Sequence, residues 1–311
     1  MSGYLENGQW HEGWYDTRGS QGEFVRTTSA FRRWVTEDGA SGFPAEAGRY
    51  HLYVSLACPW AHRTLIARVL KGLQDAVSVS VVEPVMTQGW CFSEALPDPL
   101  HGFQYLHQVY SAADPGYSGR VLVPVLWDKQ TRTIVSNESS EIMRMFNSGF
   151  GSLARNDVDL CPPALREEIA RVNAFVYENI NNGVYRCGFA TGQQAYERAF
   201  ERLFSALDWV EAQLARQPFL VGDQPTEADW RLFTTLARFD AVYVGHFKCN
   251  RNRVEDFPQL SRYLRALYLV PGIAATVDID HIKRHYYLSH PHINPTGIVP
   301  AGPRLKFCEP A

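Results

Sequence analysis

One short stretch, residues 51–64, constrains the fold of this chain more than any other. Residues 51–57 are an apolar run rich in β-forming side chains, and the run ends at Cys58-Pro59. The residues that follow repeat at the spacing of an amphipathic helix, with apolar side chains at Ile66, Val69, Leu70 and Leu73. A strand that enters a helix through Cys-Pro places the thiol at the helix N-terminus. There, unpaired N–H groups and the positive end of the helix dipole favour the thiolate.

The turn itself has the spacing of the Cys-x-x-Cys turn of thioredoxin-like proteins. Ala61 stands where the second cysteine would be. Without that resolving partner, a nucleophilic Cys58 needs an external thiol, and glutathione is the usual one. We favour this interpretation over a buried structural cysteine. Pro59 agrees with it, because the N–H that proline lacks would be unpaired at the first helical position.

The size and charge of the chain exclude several classes of function. Its 311 residues, 45% of them hydrophobic, can bury a sizeable core and suggest about two domains. The net charge of -3 predicts no nucleic-acid partner and no anionic membrane partner. The polar N-terminus lacks the apolar core of a signal peptide, and no apolar run approaches a membrane span. We therefore expect a cytoplasmic protein.

Neither the cysteines nor the histidines have the spacing of a metal site. The six cysteines are scattered, which argues against a disulfide framework and against structural zinc. His281 and His285 are four residues apart, with His290 and His292 nearby, but no third ligand is organised around them. We expect surface or structural histidines and no metal.

Residues 49–150 have the pattern of a thioredoxin-like domain. Its predicted elements are a strand at 51–57, a helix at 60–73, a strand at 77–84, an irregular segment at 85–119, a strand at 121–127, a strand up to residue 135, and a helix at about 137–147. The order β-α-β, insertion, β-β-α is that of the thioredoxin-like fold. Residues 1–48 lack a sustained period, so we expect an extended arm.

Beyond a linker at 149–163 the pattern is helical. Apolar stripes indicate two long helices, with side chains at Leu165, Ile169, Val172, Val176 and Ile180, and at Tyr196, Phe200, Leu203, Leu207, Val210 and Leu214. A third helix starts at Thr226, where Asp229 completes a sequence similar to a capping box. Shorter helices are predicted at 257–269 and 271–280.

The expected fold class is therefore α/β + all-α. A thioredoxin-like domain at residues 49–150 is followed by an all-helical domain at 164–288. The arm at 1–48 and an irregular, Pro-rich tail at 289–311 flank them.

Two further motifs fit glutathione. A proline inside the third strand, Val123-Pro124, is either an edge-strand proline or the cis-proline that faces the cysteine in thioredoxin-like folds. In the second case the residue before it offers its backbone to the peptide of glutathione. The segment 137–141 opens a helix whose N–H groups suit a carboxylate, and Glu138 suits an ammonium. Taken alone, this segment is only a helix cap.

Several tyrosines are candidates for acid chemistry at the sulfur. Tyr185 follows the first long helix and could act as an acid or hydrogen-bond donor. Tyr243, Tyr286 and Tyr287 are further candidates. A lone tyrosine is more often packed for its amphipathic character, so the residue type alone does not decide.

With these motifs in this order, the chain resembles the Xi-class glutathione transferases, which are glutathionyl-hydroquinone reductases. The resemblance spans nearly the whole chain, including the arm, the insertion and the tail. It is carried by residues 58–63, 89–90, 105–115, 119–128, 134–141, 181–185, 285–287 and 293–300. The arm, the insertion and the tail separate this class from omega-type transferases, which share only the Cys-Pro turn and the Glu-Ser pair.

The resemblance implies a role for each candidate residue. Cys58 would be the nucleophile, Tyr185 the proton donor or acceptor, and Tyr243 and Tyr286 hydrogen-bond partners near the sulfur. The residues that would hold glutathione are Trp90, Arg120, Val121, Leu122, Val123, Pro124, Glu138 and Ser139. Glutathionyl-hydroquinones would be the substrates and glutathione the co-substrate. The resemblance also implies that residues 49–150 bind glutathione and that residues 164–288 form a helical domain of the glutathione-transferase type. A homodimer that associates through this helical domain is implied as well.

Two other functions remain open at this point. An omega-like thioltransferase or dehydroascorbate reductase would share the cysteine but not the aryl thioether substrate. A non-catalytic glutathione-binding protein would keep only the pocket, and the intact set of Cys58, Trp90, Glu138 and Ser139 argues against it. A conjugating transferase that relies on Ser or Tyr is disfavoured, because a cysteine at this turn favours removal of glutathione.

Overall fold

The computed structural model describes residues 2–309 and divides into two compact units. Unit 1 contains the residues through Trp14, Thr27–Asp159 and Asp280–Ile298. Unit 2 contains Tyr15–Arg26, Leu160–Ile279 and the residues from Val299 onward. The chain thus passes between the units several times, whereas the sequence suggested four consecutive segments.

Unit 1 contains both sheets of the described chain. Its elements up to residue 144 are β1 (Gly3–Glu6), β2 (Gln9–Glu12), β3 (Tyr50–Val54), α1 (Pro59–Leu70), β4 (Val77–Val81), α2 (Leu106–Ala113), β5 (Gly119–Arg120), β6 (Val125–Asp128), β7 (Thr133–Ser136) and α3 (Ser139–Arg144). The main sheet has the order β4-β3-β6-β7, with β3 parallel to β4 and antiparallel to β6, and β6 antiparallel to β7. The predicted order of strands and helices around the Cys-Pro turn is confirmed.

The central strand and its helix follow from the sequence pattern. All five residues of β3 are buried, as expected for a strand covered on both faces. Helix α1 begins at Pro59 and packs along α3. It ends before Gly72, whose φ of +65° lies in the left-handed region that glycine adopts at helix ends.

The arm begins with a hairpin that the sequence analysis missed. Strands β1 and β2 are joined by Asn7 and Gly8, which both have positive φ (49° and 76°). An Asn-Gly pair with two positive φ values is the usual two-residue hairpin connection. Strand β5 then pairs with β1, so the arm belongs to a second, three-stranded sheet.

Two predicted boundaries in unit 1 are wrong. Strand β6 begins at Val125 rather than residue 121, because the peptide of Leu122 bonds the Tyr110 hydroxyl and Pro124 offers no N–H. The segment 85–119, predicted as irregular, contains α2, whose first turn is capped by Tyr105 and Gln108.

Unit 2 is helical. Its helices are α4 (Arg166–Val176), α5 (Gly183–Gly188), α6 (Gln193–Leu214), α7 (Glu227–Arg238) and α8 (Pro258–Tyr268). Single π turns continue α4 and α7, at Tyr177–Asn181 and Phe239–Tyr243. The predicted capping box of α7 is confirmed: Thr226 Oγ1 accepts from the Ala228 N–H, and Asp229 accepts from the Thr226 N–H at 2.8 Å.

The predicted helix at 271–280 is wrong. Pro271-Gly272 breaks the chain there, and only one 3-10 turn, Ala274–Thr276, follows before Val277 becomes extended. The helix is α9 (Ile279–Ser289), which belongs almost entirely to unit 1. Within residues 2–309, no helix is both long enough and apolar enough to cross a membrane.

Candidate active site

Cys58 occupies the N-cap position of α1. Its backbone is extended (φ -80°, ψ 118°), its carbonyl accepts the N–H of His62 at 3.0 Å, and Pro59 fills the first helical position. The side chain is partly exposed, and the thiol donates toward the Val123 carbonyl at 3.6 Å. The thiol is therefore at the helix N-terminus, next to the Val-Pro pair.

The Val123-Pro124 peptide is cis, as the thioredoxin-like pattern predicted. Tyr110 fixes the preceding peptide: its hydroxyl donates to the Leu122 carbonyl at 2.8 Å and accepts the Leu122 N–H at 3.2 Å. No hydrogen bond is made by the Val123 N–H to any atom of residues 2–309. One backbone donor beside the cysteine thus remains available to a ligand.

Glu138 and Ser139 lie where β7 passes into α3. One oxygen of Glu138 accepts the N–H of Ser140 at 3.0 Å and its hydroxyl at 2.8 Å, and the other accepts the Ser29 hydroxyl at 3.0 Å. Burial raises the pKa of Glu138, but these bonds and the charge of Arg63 outweigh it, so the pKa is lowered. Glu138 is therefore ionised at neutral pH.

Ser139 is nearly buried, with 3% of its surface exposed. Within the part of the chain that the structure describes, neither its N–H nor its hydroxyl is engaged in a hydrogen bond. Glu138 and Ser139 together offer an anion and two donors, the complement of an ammonium beside a carboxylate.

Trp90 is held by α9. Its ring stacks on His285 with centroids 4.7 Å apart and planes 19° apart, and His285 Nδ1 is 2.8 Å from the Pro84 carbonyl. The sequence suggested a surface or structural role for His285, and the structure shows it buried against Trp90. The neighbouring Tyr286, 2% exposed, contacts the rings of His285 and His290.

Arg120 is tied to the arm. Its guanidinium donates to the carbonyls of Gly13 at 2.7 Å, Trp14 at 2.8 Å and Gly3 at 3.3 Å. Together with Leu122 it borders a cavity of about 430 Å³ in unit 1. Val121 is nearly buried. No feature of the sequence indicates that the Arg120 side chain anchors the arm.

Tyr185 and Tyr243 belong to unit 2 and lie next to each other. Their ring centroids are 6.1 Å apart, within an aromatic cluster that also includes Phe189 and Phe247. Tyr185 lies on α5 and Tyr243 on the π turn after α7. The guanidinium of Arg26 is 5.0 Å from the centre of the Tyr185 ring.

No metal centre is found within residues 2–309, since no group of three or more His, Cys, Asp or Glu side chains could hold an ion. His281 contacts Ser55, while His290 and His292 pack on Trp14. Burial lowers the pKa of His292. All six cysteines are thiols.

Comparison with known proteins identifies the family. Residues 57–148 match the family model "Glutathione S-transferase, N-terminal domain", and residues 193–266 match "Glutathione S-transferase, C-terminal domain". Glutathionyl-hydroquinone reductase YqjG of Escherichia coli is 53% identical over 99% of this chain and 97% of its own. The structure of the Xi class glutathione transferase from Natrialba magadii is 48% identical, with a TM-score of 0.93, and covers 100% of this chain and 96% of that one. The chain belongs to the Xi-class glutathione transferases.

Two more findings support the Xi-class assignment. Glutathionyl-hydroquinone reductase PcpF of Sphingobium chlorophenolicum is 53% identical over 97% of this chain and 96% of its own. The glutathione-bound structure of YqjG has a TM-score of 0.91 at 50% identity and covers 99% of this chain and 98% of that one. The resemblance and the fold class predicted from the sequence, α/β + all-α, are thereby confirmed.

The candidate site also includes residues that sequence reasoning missed. Ser29 contacts Glu138, Tyr110 fixes the Leu122 peptide, and His285 supports Trp90. No local motif marks Ser29 or Tyr110. The position of His285 next to Tyr286, in the C-terminal motif, is the one signal that could have singled it out.

Proposed function

We propose that the protein is an enzyme that reduces glutathionyl-hydroquinones to hydroquinones with glutathione as co-substrate. The observation that carries this function is the 53% identity to a named glutathionyl-hydroquinone reductase over 99% of the chain. The geometry around Cys58 agrees with it, since a partly exposed thiol at a helix N-terminus is suited to thiol exchange.

In the first step, the Cys58 thiolate attacks the sulfur of the glutathionyl-hydroquinone. A Cys58–glutathione disulfide forms, the carbon–sulfur bond breaks, and its electron pair remains on the aryl carbon, which takes up a proton. Both sulfur atoms are thereby oxidised and the aryl carbon is reduced. Tyr185 is the proposed proton donor, and Tyr243 and Tyr286 are proposed to hydrogen-bond near the sulfur.

In the second step, a glutathione thiolate attacks the mixed disulfide. Oxidised glutathione leaves and the Cys58 thiolate is restored. The net reaction converts one glutathionyl-hydroquinone and one glutathione to hydroquinone and oxidised glutathione. The atoms and electrons balance without a metal or another redox cofactor.

The proposed glutathione site lies in unit 1. The Val123 N–H suits the peptide carbonyl of glutathione, and Glu138 with Ser139 suits the charged γ-glutamyl end. Trp90 is proposed to pack on glutathione. The remaining proposed contacts come from Arg120, Val121 and Leu122, which precede the cis peptide, and from Pro124, which is part of it.

The assembly and location are also proposals. We infer that residues 49–150 act as the glutathione-binding domain and residues 164–288 as the helical domain, with the arm at 1–48 and the tail at 289–311 added to them. A homodimer through the helical domain and a cytoplasmic location follow from the family resemblance and the sequence composition.

Replacement of the cysteine tests the reaction. Cys58→Ser is expected to abolish turnover of glutathionyl-menadiol and to leave the circular dichroism spectrum unchanged. Cys308→Ser is the matched control, because it removes another partly exposed thiol, and it should retain activity. Undiminished turnover by Cys58→Ser would contradict the mechanism.

Competition kinetics separate the reductase from an omega-like thioltransferase. Wild-type enzyme is offered glutathionyl-menadiol together with a small glutathione mixed disulfide. A higher kcat/KM for the aryl thioether supports the proposed function. A higher kcat/KM for the mixed disulfide would assign the thioltransferase activity instead.

A further inference from the structure

The segment Ser29–Arg33 of the N-terminal arm runs along the free edge of β7. Arg32 bridges Ser136 in antiparallel register, and the Arg33 N–H donates to the Val135 carbonyl at 2.9 Å. The Asn137 N–H donates to the Phe31 carbonyl at 3.1 Å, and the Phe31 N–H donates to Asn137 Oδ1 at 3.1 Å. This segment is thus fixed in register as an additional edge of the main sheet.

That register brings the arm to the start of α3. The guanidinium of Arg32 donates hydrogen bonds to both carboxylate oxygens of Glu141, with Nε 2.7 Å from Oε2. Three residues earlier, the Ser29 hydroxyl is 3.0 Å from Glu138 Oε2 and 3.3 Å from the Asn137 carbonyl. The arm therefore contacts the carboxylate that is proposed to bind the ammonium of glutathione.

The donors around Glu138 leave one direction open. Oε1 accepts two hydrogen bonds, from the N–H and the hydroxyl of Ser140, and these two bonds occupy both lone pairs of Oε1. Oε2 accepts one hydrogen bond, from Ser29. A carboxylate oxygen has two acceptor sites, so Oε2 has one left for a ligand. Since the pKa of Glu138 is lowered, that site carries negative charge at neutral pH.

We propose that Ser29 is a positioning residue for glutathione, whose hydroxyl orients the Glu138 carboxylate toward the α-ammonium of the γ-glutamyl group. This inference rests on the proposed function, because it assumes that Glu138 binds that ammonium. Without Ser29, Oε2 lacks the donor that fixes its direction, and the carboxylate becomes free to rotate about the bonds from Ser140. The arm is thereby part of the glutathione site.

Ser29→Ala tests this role through binding. Calorimetry is expected to show glutathione bound about five- to tenfold more weakly than by wild type, a loss equal to the net contribution of one ordinary hydrogen bond. Turnover should show a higher KM for glutathione and an unchanged kcat at saturation. Thr28→Ala is the matched control, because Thr28 is exposed and makes no hydrogen bond within residues 2–309, and it should bind like wild type.

A glutathione analogue that lacks the α-amino group distinguishes positioning from a structural effect. Ser29→Ala should leave its affinity unchanged, since the analogue has no ammonium for Glu138 to meet. Equal weakening of both ligands, or unchanged binding of glutathione, would overturn the proposal. The calorimetric measurement does not depend on turnover. An enzyme without reductase activity would therefore contradict the proposed function, and unchanged glutathione binding by Ser29→Ala would contradict the role of Ser29.

Discussion

At the scale of single residues, the position of Cys58 at the helix N-terminus is set by Pro59, the residue that follows it. A proline at the first helical position forgoes an N–H that would have no acceptor, and its fixed φ starts the helix at once. Cys58 then caps the helix without side-chain hydrogen bonding to its backbone. The sulfur is left beside the positive end of α1, which favours the nucleophilic thiolate.

Tyr185 is the residue whose proposed role is most specific to the aryl substrate. Tyr185→Phe should slow the first step by about 10²-fold, the lower range for loss of an acid catalyst, since the aryl carbon needs a proton. The second step is an exchange between sulfur atoms and should be little affected. Single-turnover release of hydroquinone reports the first step, and release of oxidised glutathione from the preformed mixed disulfide reports the second.

Tyr196→Phe is the control for that measurement. Tyr196 also lies in unit 2, and its hydroxyl donates to the Lys248 carbonyl at an exposed position. Its loss should leave both steps unchanged. Equal slowing of the two steps by Tyr185→Phe would remove Tyr185 from the protonation step.

At the scale of elements, β6 links the cis peptide at one end to a buried ion pair at the other. Asp128, its last residue, accepts from Arg49 Nε at 2.9 Å and Nη2 at 2.6 Å, and also from Thr131 at 2.6 Å and Gln130 at 3.0 Å. Burial raises the pKa of Asp128, but these bonds outweigh it and the pKa is lowered. The strand that follows the Val-Pro pair is thus anchored at its far end.

This anchor predicts a pH dependence of stability. A carboxyl whose pKa is lower in the folded state stabilises the fold above its unfolded pKa of about 4 and loses that contribution as pH falls below it. Asp128→Asn should lower the free energy of unfolding at pH 7 by about 3 kcal/mol, since Arg49 loses a buried charged partner. It should also flatten the pH profile below about pH 4.

Urea unfolding at pH 7 and in acid measures both effects. Asp75→Asn is the control, because Asp75 pairs with Arg155 at an exposed position and should change stability by less than about 1 kcal/mol. If Asp128→Asn loses no more stability than Asp75→Asn, the anchoring role is wrong.

The elements also show what the sequence could and could not predict. The β-α-β half and the β-β-α half of the thioredoxin-like domain were predictable, because their apolar runs are bounded by strong turn and helix signals, such as Cys58-Pro59 and Asp128. The Asn7-Gly8 hairpin had a clear local signal and was overlooked. The edge segment at Ser29–Arg33 had no local signal in the sequence. Its conformation is held by hydrogen bonds to β7 and the residue after it, about a hundred residues away in the chain.

At the scale of the whole molecule, the proposed machinery is distributed over distant parts of the chain. Unit 1 gathers the cysteine, the proposed glutathione contacts and α9, which supplies Tyr286. Unit 2 holds Tyr185 and Tyr243. Short motifs identified these positions, but the support given by His285 and Ser29 depends on contacts across more than a hundred residues, which no local pattern encodes.

The proposed homodimer is tested at this scale. Sedimentation equilibrium should give about twice the 35.2 kDa mass of one chain over a wide range of concentrations. A single-chain mass at the highest concentration would contradict the homodimer and leave the catalytic proposal standing.

Intact mass spectrometry shows whether Cys58 takes glutathione from an aryl thioether. The enzyme is mixed with glutathionyl-menadiol in the absence of free glutathione, so that the reaction stops after the first step. We expect a mass gain of one glutathionyl group per chain, mapped to Cys58, with one menadiol released for each adduct. Release of menadiol without an adduct at Cys58, an adduct on another cysteine, or the absence of any adduct would contradict this mechanism.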